Sequence, residues 1–339
     1  MVREATSNSM FGEDFVKVKI LITGSSGFVA SSFCKQFSNR NDLEIVGLTR
    51  RPEHRQNEIL WDLRFPLDLN FIPDIFIHAA AKSSPWGTLE DFRKDNVQAT
   101  RNVVDFCRAK QIKKLVYISS SSVYYRFEDQ FDLTEKSPVG PKFASFYAQT
   151  KYEGEQIVKS LAETSATRVV ILRPRAVFGP NDSVLFPRIL KAALKGQMTS
   201  IQRPTGPALG DLIYIDSLCD YLLKAALEKD VNGDFNLTNN ETIEIQSFLF
   251  EILQQLGLPK VTRKVSQKTA FRVATFLELF YKIFMPNIEP PITRFGVGVL
   301  SYSKTFDVSK SLAAFGAPTV SLAEGARRFV EWQKGQMQR

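Results

Sequence analysis

A tyrosine and a lysine four residues apart, Tyr147 and Lys151, are the residues of this chain best suited to acid–base chemistry. Positions i and i+4 share one face of a helix, so we expect the Lys151 ammonium to lie near the Tyr147 hydroxyl and to lower its pKa. A phenol tuned in this way can exchange protons near neutral pH. Ser120, in the serine run upstream, is expected to hold the substrate oxygen that gains or loses the proton. Because this spacing is common in helices, it counts only in the right structural context.

A glycine-rich turn near the start of the chain supplies that context. The short, β-branched run at 18–22 predicts a strand buried on both faces, and residues 24–30 predict a turn into a helix. Gly24 and Gly27 let the backbone approach a pyrophosphate at the N-terminus of that helix. The same turn contributes the other residues expected to contact a dinucleotide: Ser26, Phe28 and Val29. Together with Tyr147 and Lys151, the turn indicates a hydride-transferring enzyme.

Strand and helix patterns alternate along the first half of the chain. Further strands are predicted at 44–48, 75–78, 115–119 and 169–172, and helices at 27–38, 90–110 and 143–161. This alternation predicts an α/β fold with a doubly wound parallel sheet of the Rossmann type. We expect residues 1–15 to be a flexible N-terminus and 16–175 to form the NAD(P)-binding domain. Residues 176–339 should form mostly a smaller, C-terminal substrate-binding lobe, with segments that return to the first domain.

Length and composition exclude several classes of protein. At 339 residues the chain exceeds the size at which a single core stops growing. Three scattered cysteines argue against a disulfide framework, and two histidines are too few for a metal cluster, so no metal is expected. The first fifteen residues lack the apolar core of a signal peptide, which favours a cytoplasmic location. The net charge of +8 is spread without a nucleic-acid-binding motif, so no nucleic-acid partner is predicted.

Several short motifs follow one another in a characteristic order. They are Thr23-Gly24-x-x-Gly27-Phe28, Asp62-Leu63, His78-Ala79-Ala80-Ala81, Asn96, Ser119-Ser120-x-x-Val123-Tyr124, Tyr147-x-x-x-Lys151, Arg173-Pro174 with Gly179-Pro180, and Tyr214-Ile215-Asp216. This set resembles the extended short-chain dehydrogenase/reductase family, which includes NAD(P)-dependent epimerases, dehydratases and 3β-hydroxysteroid dehydrogenases. The resemblance implies that Tyr147 is the acid/base and that Lys151 binds the nicotinamide ribose. It also implies that Ser120 polarises the substrate oxygen and that Asn96 supports the site.

The remaining cofactor contacts are expected at the ends of later strands. Asp62, with Leu63 beside it, can accept a hydrogen bond from the adenine amino group. Small side chains after the fourth strand leave room for the adenosine ribose: Ala79, Ala80 and Ala81. Pro174 completes the predicted cofactor site. His78, at the end of a buried strand, is interpreted as a structural core residue rather than a catalyst.

Cofactor choice depends on the end of the second strand, Thr49-Arg50-Arg51. NAD-binding proteins usually place an acidic residue there, whose carboxylate pairs with the ribose 2′-hydroxyl and repels a 2′-phosphate. Thr49 is neutral, and Arg50 and Arg51 can bind the phosphate. The sequence therefore favours NADP(H), with NAD(H) as the alternative. The competing interpretation is that both arginines lie in a solvated loop.

The substrate is predicted less directly. Gly210 stands where relatives that act on nucleotide sugars often carry a phosphate-binding arginine, although Arg294 could still meet a phosphate. The C-terminal residues 303–332 resemble the hydroxysteroid dehydrogenase branch, which favours an apolar hydroxy or keto compound. A nucleotide-sugar epimerase or dehydratase remains the alternative. A non-catalytic NAD(P)-sensing regulator is disfavoured because Tyr147 and Lys151 are both present.

The aromatic segment 270–285 has no counterpart among these motifs. Its charges and its short apolar runs exclude a bilayer span. Three interpretations are open. The segment could pack on the substrate lobe or on the partner of a homodimer, it could cover an apolar pocket as a lid, or it could contact a membrane surface.

Overall fold

Strands and helices alternate through the first half of the chain, as the periodicity predicts. The computed structural model describes residues 17–51 and 57–338, so the predicted flexible N-terminus at 1–15 lies outside the described residues. The strands in these ranges are β1 Val18–Thr23, β2 Leu43–Thr49, β3 Glu58–Leu60, β4 Ile75–His78, β5 Lys114–Ile118, β6 Gln130–Leu133, β7 Arg168–Pro174, β8 Val177–Phe178, β9 Ser200–Gln202, β10 Leu209–Gly210, β11 Ile213–Tyr214, β12 Gly233–Leu237, β13 Ile243–Glu244, β14 Lys264–Ser266 and β15 Lys304–Phe306. The α-helices are α1 Phe28–Phe37, α2 Leu89–Phe92, α3 Ala99–Ala109, α4 Phe146–Thr164, α5 Phe186–Leu194, α6 Ile215–Leu227, α7 Ile245–Gln255, α8 Gln267–Phe284, α9 Arg294–Ser301, α10 Ser309–Phe315 and α11 Leu322–Met337.

Seven of these strands form one parallel sheet in the order β12-β7-β5-β4-β1-β2-β3. The chain begins at the centre with β1, builds outward through β2 and β3, and then returns to build the other side from β4. This is a doubly wound Rossmann sheet, so the predicted fold class is confirmed. The point where the winding reverses, between β1 and β4, is where such sheets bind their ligands.

Both faces of the sheet are covered by helices. Successive side chains of a strand point to opposite faces, so Ile20 and Ile22 of β1 pack in the same core as Phe33 of α1. Leu21 packs in a second core on the other face, together with Val103 of α3 and residues of α4. Because both faces are buried, the strands read as continuous apolar runs rather than as alternating ones.

The smaller lobe is built from residues of both halves of the sequence. Its four-stranded sheet has the order β13-β10-β15-β6, and β6 comes from well before residue 175. In the other direction, β12 lies beyond residue 175 and pairs with β7 at the edge of the large sheet. The chain therefore crosses between the two sheets more than once, and the division at residue 175 stays a prediction.

Two predicted helices differ from the observed ones. The helix predicted at 90–110 is divided into α2 and α3 by a π-helical turn, Arg93–Gln98, which contains the buried Asn96. Such turns insert an extra residue into a helix and are frequent at functional sites. The helix predicted to begin at residue 143 begins at Phe146, because the Ser145 side chain accepts a hydrogen bond from the amide of Ala148 and caps the helix there.

Helix α4 lies unusually close to β5 at Gly154. A Cβ atom at this position would lie 2.2 Å from the hydroxyl oxygen of Tyr117, a residue of β5. The Tyr117 hydroxyl in turn donates a hydrogen bond of 3.4 Å to the backbone carbonyl of Lys151 on α4. Gly154 thus sets the distance between the helix that carries Tyr147 and Lys151 and the strand that precedes Ser120.

We predict that Gly154→Ala destabilises the protein, because the added methyl group forces α4 away from Tyr117. Overpacking of this kind costs about 1–3 kcal/mol. Urea denaturation followed by circular dichroism measures the loss. The control is Gly335→Ala on α11, where a Cβ atom would have no neighbour within 4 Å. That control should be neutral or slightly stabilising. A wild-type denaturation midpoint for Gly154→Ala would contradict the predicted contact.

Candidate active site

The predicted site residues meet at the carboxyl edge of the large sheet. In a parallel sheet all strands end at the same edge, so Gly24 after β1, Ala79 after β4, Ser120 after β5 and Pro174 at the end of β7 lie side by side. Tyr147 and Lys151 reach this edge from the first turns of α4. The alternation of strands and helices therefore suffices to bring the catalytic candidates and the glycine turn to one crevice.

Tyr147 lies with its hydroxyl among serine side chains. Burial raises the pKa of the Tyr147 phenol, while Ser120 and Ser83 interact with the hydroxyl and lower the pKa in part. The expectation that Lys151 lowers this pKa was wrong. The shift is upward because the site removes the phenol from water, which disfavours the phenolate. Ser83, in the loop after β4, is a neighbour that the sequence did not indicate.

Lys151 is almost fully buried, with 2% of its surface exposed. Its ammonium nitrogen lies 4.1 Å from the centroid of the Tyr117 ring, so an aromatic face on β5 supports the charge. Burial lowers the pKa of Lys151 to about 7, and the nearby Glu155 carboxylate opposes that shift. A lysine tuned to this range carries only part of its charge near neutral pH.

Glu155 continues the helix face of Tyr147 and Lys151, and sequence reasoning missed it. Its carboxylate is fully buried and accepts a 2.5 Å hydrogen bond from the Ser119 hydroxyl. It also accepts two hydrogen bonds from the Arg173 guanidinium, of 2.8 and 2.6 Å. Two signals in the sequence could have revealed this pair. Glu155 stands four residues after Lys151, and Arg173 is a charged residue in an otherwise apolar strand.

Asn96 is hydrogen-bonded to the helix that carries Tyr147 and Lys151. Its amide nitrogen donates to the Thr150 hydroxyl on α4 at 3.0 Å, and its side-chain oxygen accepts from the amide of Lys82 at 2.7 Å. The side chain therefore joins α4 to the loop after β4. This geometry fits the supporting role that the family resemblance implies.

Both ring nitrogens of His78 have a hydrogen-bond partner. The Thr23 hydroxyl accepts from the amides of Ala79 and Ala80, both at 3.0 Å, which leaves its hydrogen for the Nδ1 atom of His78 at 2.9 Å. The Nε2 atom lies 3.1 Å from the Thr100 hydroxyl. Burial, and secondarily Lys151, lower the pKa of His78 to about 3, so the ring is neutral. His78 is a satisfied core residue, as its sequence context indicates.

The glycine turn has the geometry that a pyrophosphate needs. Gly24 has φ +74°, and a Cβ atom there would lie 3.0 Å from Cα of Ala80. Gly27 is the N-cap of α1, and no side chain caps that helix end. The helix N-terminus therefore keeps amide groups available for an anion. Around it, Ser26 accepts from the Thr49 hydroxyl at 3.0 Å, while Phe28 is buried and Val29 half-buried.

An open pocket where the sequence predicts the adenosine end of the cofactor is lined by Arg50, Leu60, Trp61, Asp62 and Phe65. Asp62 is bound by Arg64 at 2.5 Å, an ion pair that lowers the pKa of the carboxyl. The indole nitrogen of Trp61 is buried and has no hydrogen-bond partner among the residues described. This orphan donor, the uncapped α1 terminus and the tight turn fit a dinucleotide.

The other predicted cofactor residues lie at or near this crevice. Leu63 is buried, and its carbonyl accepts from Asn102 at 2.8 Å. Arg50 is exposed, with its guanidinium 3.4 Å from Asp95. Arg51 is also exposed and is followed by residues 52–56, which are outside the described ranges. Ala79 and Ala80 are half-buried beside the turn, Ala81 is exposed, and Pro174 is buried.

Comparison with known proteins identifies the family. Residues 20–238 match the sequence profile of the NAD dependent epimerase/dehydratase family. The 2-alkyl-3-oxoalkanoate reductase of Shewanella oneidensis is 32% identical over 91% of this chain and 84% of its own length. The enzyme of the same name from Stenotrophomonas maltophilia is 31% identical over 92% of this chain and 98% of its own length. Sterol-4-alpha-carboxylate 3-dehydrogenase (decarboxylating) of Mus musculus is 27% identical over 92% and 90%.

A solved structure agrees with this assignment at the level of the fold. MoeE5 in complex with UDP-glucose and NAD superposes with a TM-score of 0.72 at 21% identity, over 94% of this chain and 99% of that one. The chain belongs to the NAD dependent epimerase/dehydratase family, a branch of the extended short-chain dehydrogenase/reductases, and is an NAD(P)-dependent enzyme. The predicted family and the predicted enzymatic nature are thereby confirmed.

Proposed function

We propose that the protein is an NADP(H)-dependent reductase of an oxo group in an apolar small molecule, with Tyr147 as the acid/base. The observation that carries the proposal is the arrangement at the carboxyl edge of the sheet, where Tyr147 and Lys151 in the first turns of α4 face the turn after β5 that contains Ser120. The two relatives with the highest identities given above are both named 2-alkyl-3-oxoalkanoate reductases, which supports an oxo compound with an alkyl chain as the substrate.

The residues divide the chemistry between them. A bound nicotinamide cofactor supplies the hydride. The Ser120 hydroxyl donates a hydrogen bond to the substrate oxygen, and Tyr147 delivers a proton to the same oxygen as negative charge develops there. Because burial raises the pKa of Tyr147, the phenol is protonated near neutral pH and ready to act as an acid, which suits reduction. Lys151 binds the cofactor ribose from the next turn of α4.

The lobe that faces this site offers little to a nucleotide sugar. At Gly210 a Cβ atom would lie 2.8 Å from the Cδ1 atom of Ile245, so an arginine side chain could not enter without displacing that residue. Arg294, the other phosphate-binding candidate, is ion-paired with Glu278 at 3.0 Å. These contacts support the apolar substrate over the nucleotide-sugar alternative.

We expect Tyr147→Phe to reduce turnover of a 2-alkyl-3-oxoalkanoate with NADPH by about two to four orders of magnitude, since the ring remains but the transferable proton is lost. Cofactor binding, measured by fluorescence titration, should be unchanged. The matched control is Tyr152→Phe on the same helix, whose ring packs on Phe143 at 5.5 Å.

Two results would count against this function. Near-normal turnover by Tyr147→Phe would remove the acid/base assignment. Saturable binding of UDP-glucose in calorimetry, lost in Arg294→Ala, would instead support the epimerase or dehydratase alternative.

The preference for NADP(H) is part of the proposal and follows from the end of β2. Two arginines rather than a carboxylate directly follow Thr49, and Arg50 is half exposed with a long contact to Asp95 as its ion pair among the described residues, so its guanidinium can meet a 2′-phosphate. NADPH should therefore bind about ten- to a hundredfold more tightly than NADH.

We predict that Arg50→Ala weakens NADPH binding and leaves NADH binding nearly unchanged, because only NADPH carries the 2′-phosphate. Fluorescence titration of both reduced cofactors measures the difference. Arg40→Ala is the control. Arg40 is a similarly exposed arginine that pairs with Asp42 just before the first residue of β2, at the end of the strand opposite to Arg50. Equal affinities of the wild type for the two cofactors would leave the preference without support.

A further inference from the structure

Arg175, the residue directly after β7, has a buried guanidinium that makes no hydrogen bond to any described residue. The residue is only 8% exposed, and its Nε atom is buried without a partner. The Asp211 carboxylate interacts with Arg175 electrostatically but forms no hydrogen bond with it, and accepts instead from the Thr242 hydroxyl and from the Phe306 amide, both at 2.8 Å. An unpaired buried cation is destabilising, so a position of this kind indicates a missing anionic partner.

A second donor without a partner lies beside it. The hydroxyl of Tyr125 is buried and has no hydrogen-bond partner within the described ranges. Burial raises the pKa of Tyr125 and lowers that of Arg175, and the electrostatic interaction between the two groups opposes both shifts. The Lys304 ammonium lies 4.4 Å from the centroid of the Tyr125 ring and adds positive charge.

The backbone puts both donors next to the proposed reaction centre. The amide of Ser119 donates to the carbonyl of Leu172 at 2.7 Å, so the chain leaves β5 towards Ser120 beside the point where it leaves β7 towards Arg175. Tyr125 directly follows the 3-10 turn Ser121–Tyr124, whose N-cap is Ser120. The backbone of both donors is therefore close to the turn that contains Ser120.

We propose that Arg175, assisted by Tyr125, binds the carboxylate of the substrate, and that the substrates are accordingly 3-oxo acids. This inference rests on the proposed reductase function. A guanidinium binds a carboxylate through two parallel hydrogen bonds, and a phenol can donate a third. In a 3-oxo acid the carboxylate lies two bonds from the reacting carbonyl carbon, which matches a cation adjacent to Ser120. Arg175 then selects acids over the neutral esters of the same chain.

The test separates anion binding from turnover. The probe is a saturated 2-alkyl alkanoic acid, which lacks the oxo group, compared with its methyl ester by calorimetry. We expect Arg175→Met to bind the acid about ten- to a hundredfold more weakly than the wild type does, with ester binding unchanged. Tyr125→Phe should show the same selectivity with a smaller loss. Arg294→Met, at an exposed arginine of the same lobe, is the control and should behave as wild type.

The melting temperature of the ligand-free protein provides a second test that does not depend on ligand binding. Removing an unpaired buried charge should leave the melting temperature of Arg175→Met equal to or above that of the wild type, whereas loss of a structural ion pair would lower it. Equal weakening of acid and ester would overturn the carboxylate assignment. So would tighter binding of inorganic pyrophosphate than of the acid. If the acid binds through Arg175 but the wild type reduces no oxo compound, the reductase function fails while the anion site stands.

A separate surface concerns helix α8, which presents an apolar face to solvent. Its only buried residues are Ala270 and Ala274, while Phe276, Leu279, Ile283 and Phe284 are each more than half exposed. At 3.6 residues per turn these four side chains and their neighbours Val273 and Phe280 fall within an arc of about 140°. Single exposed apolar residues are common on protein surfaces, but a contiguous apolar face of this size indicates an interaction site.

Charge on and around α8 indicates the chemistry of its partner. Lys268 and Lys282 lie beside one edge of the apolar arc, and Arg272 lies just inside that edge. Residues 260–295 contain seven lysines and arginines against two glutamates, a net charge of +5 within a chain of +8. Both glutamates are already paired, Glu278 with Arg294 at 3.0 Å and Glu289 with Arg188 at 2.7 Å. The segment therefore offers apolar side chains bordered by free positive charge.

From this pattern we infer that α8 lies in the surface of an anionic lipid bilayer, with its apolar face among the acyl chains and its basic edge at the headgroups. No helix in the described part of the chain is long and apolar enough to cross a membrane, so a position in the plane of the surface is the one that fits. A second copy of the chain would meet the same positive charge and is disfavoured as the partner.

Flotation with phosphatidylcholine vesicles, with and without phosphatidylglycerol, tests this surface. We expect the wild type to float with the anionic vesicles and the combined Phe276→Ser and Ile283→Ser variant to bind them at least tenfold more weakly. Changing Lys268, Arg272 and Lys282 to glutamate should abolish the preference for anionic lipid. The control is Phe131→Ser on β6, where the phenylalanine is 55% exposed. Absence of flotation, or a dimer on size exclusion that the serine variant dissociates, would overturn the inference.

Discussion

One buried ion pair holds the helix on which the proposed chemistry depends. Glu155 on α4 and Arg173 on β7 are almost fully shielded from water, and Glu155 also binds the Ser119 hydroxyl at the end of β5. Arg173 in turn donates to Tyr124 at 2.6 Å and to Asp234 at 2.7 Å. Every charge in the cluster is thus compensated. Removing one partner would lower the free energy of unfolding by about 3–5 kcal/mol. The pair fixes α4 against two strands at once, one turn beyond Lys151.

A chain of hydrogen bonds connects the cofactor side of the crevice to the same helix. Thr23 at the end of β1 binds His78, which faces Thr100 on α3. The Thr100 hydroxyl donates to the Asn96 carbonyl at 2.6 Å, and the Asn96 side chain binds Thr150 on α4. These hydrogen bonds therefore connect the glycine turn to the helix that carries Tyr147 and Lys151. Rigid support of this kind is what lets a site hold its donors at fixed positions.

The secondary structure and the short-range placement of residues follow from the sequence, whereas contacts between distant segments do not. The alternating pattern predicts β1, β4 and the Rossmann order, because strand and helix periodicities are local properties. The proximity of Tyr147 and Lys151 in the sequence also predicts their common helix. The predicted direction of the Tyr147 pKa shift was wrong because the shift is dominated by burial, which depends on residues from distant segments of the chain. Glu155 and Arg173, or Arg175 and Tyr125, meet only through the pairing of strands that no single window of sequence contains.

The interleaving of the two sheets affects how the chain can acquire its structure. Strand β7 has an unpaired edge until β12, about 60 residues later, has been synthesised, and β6 has no partner until β15 emerges near residue 304. Long-range strand pairings of this kind form slowly, and until they form the strand edges remain unpaired and exposed. The N-terminal half thus cannot finish folding on the ribosome as an independent unit. Truncation before β12 leaves an unpaired strand in both sheets, and truncation between β12 and β15 leaves one in the four-stranded sheet. The nascent protein therefore needs protection from self-association until β15 has been synthesised.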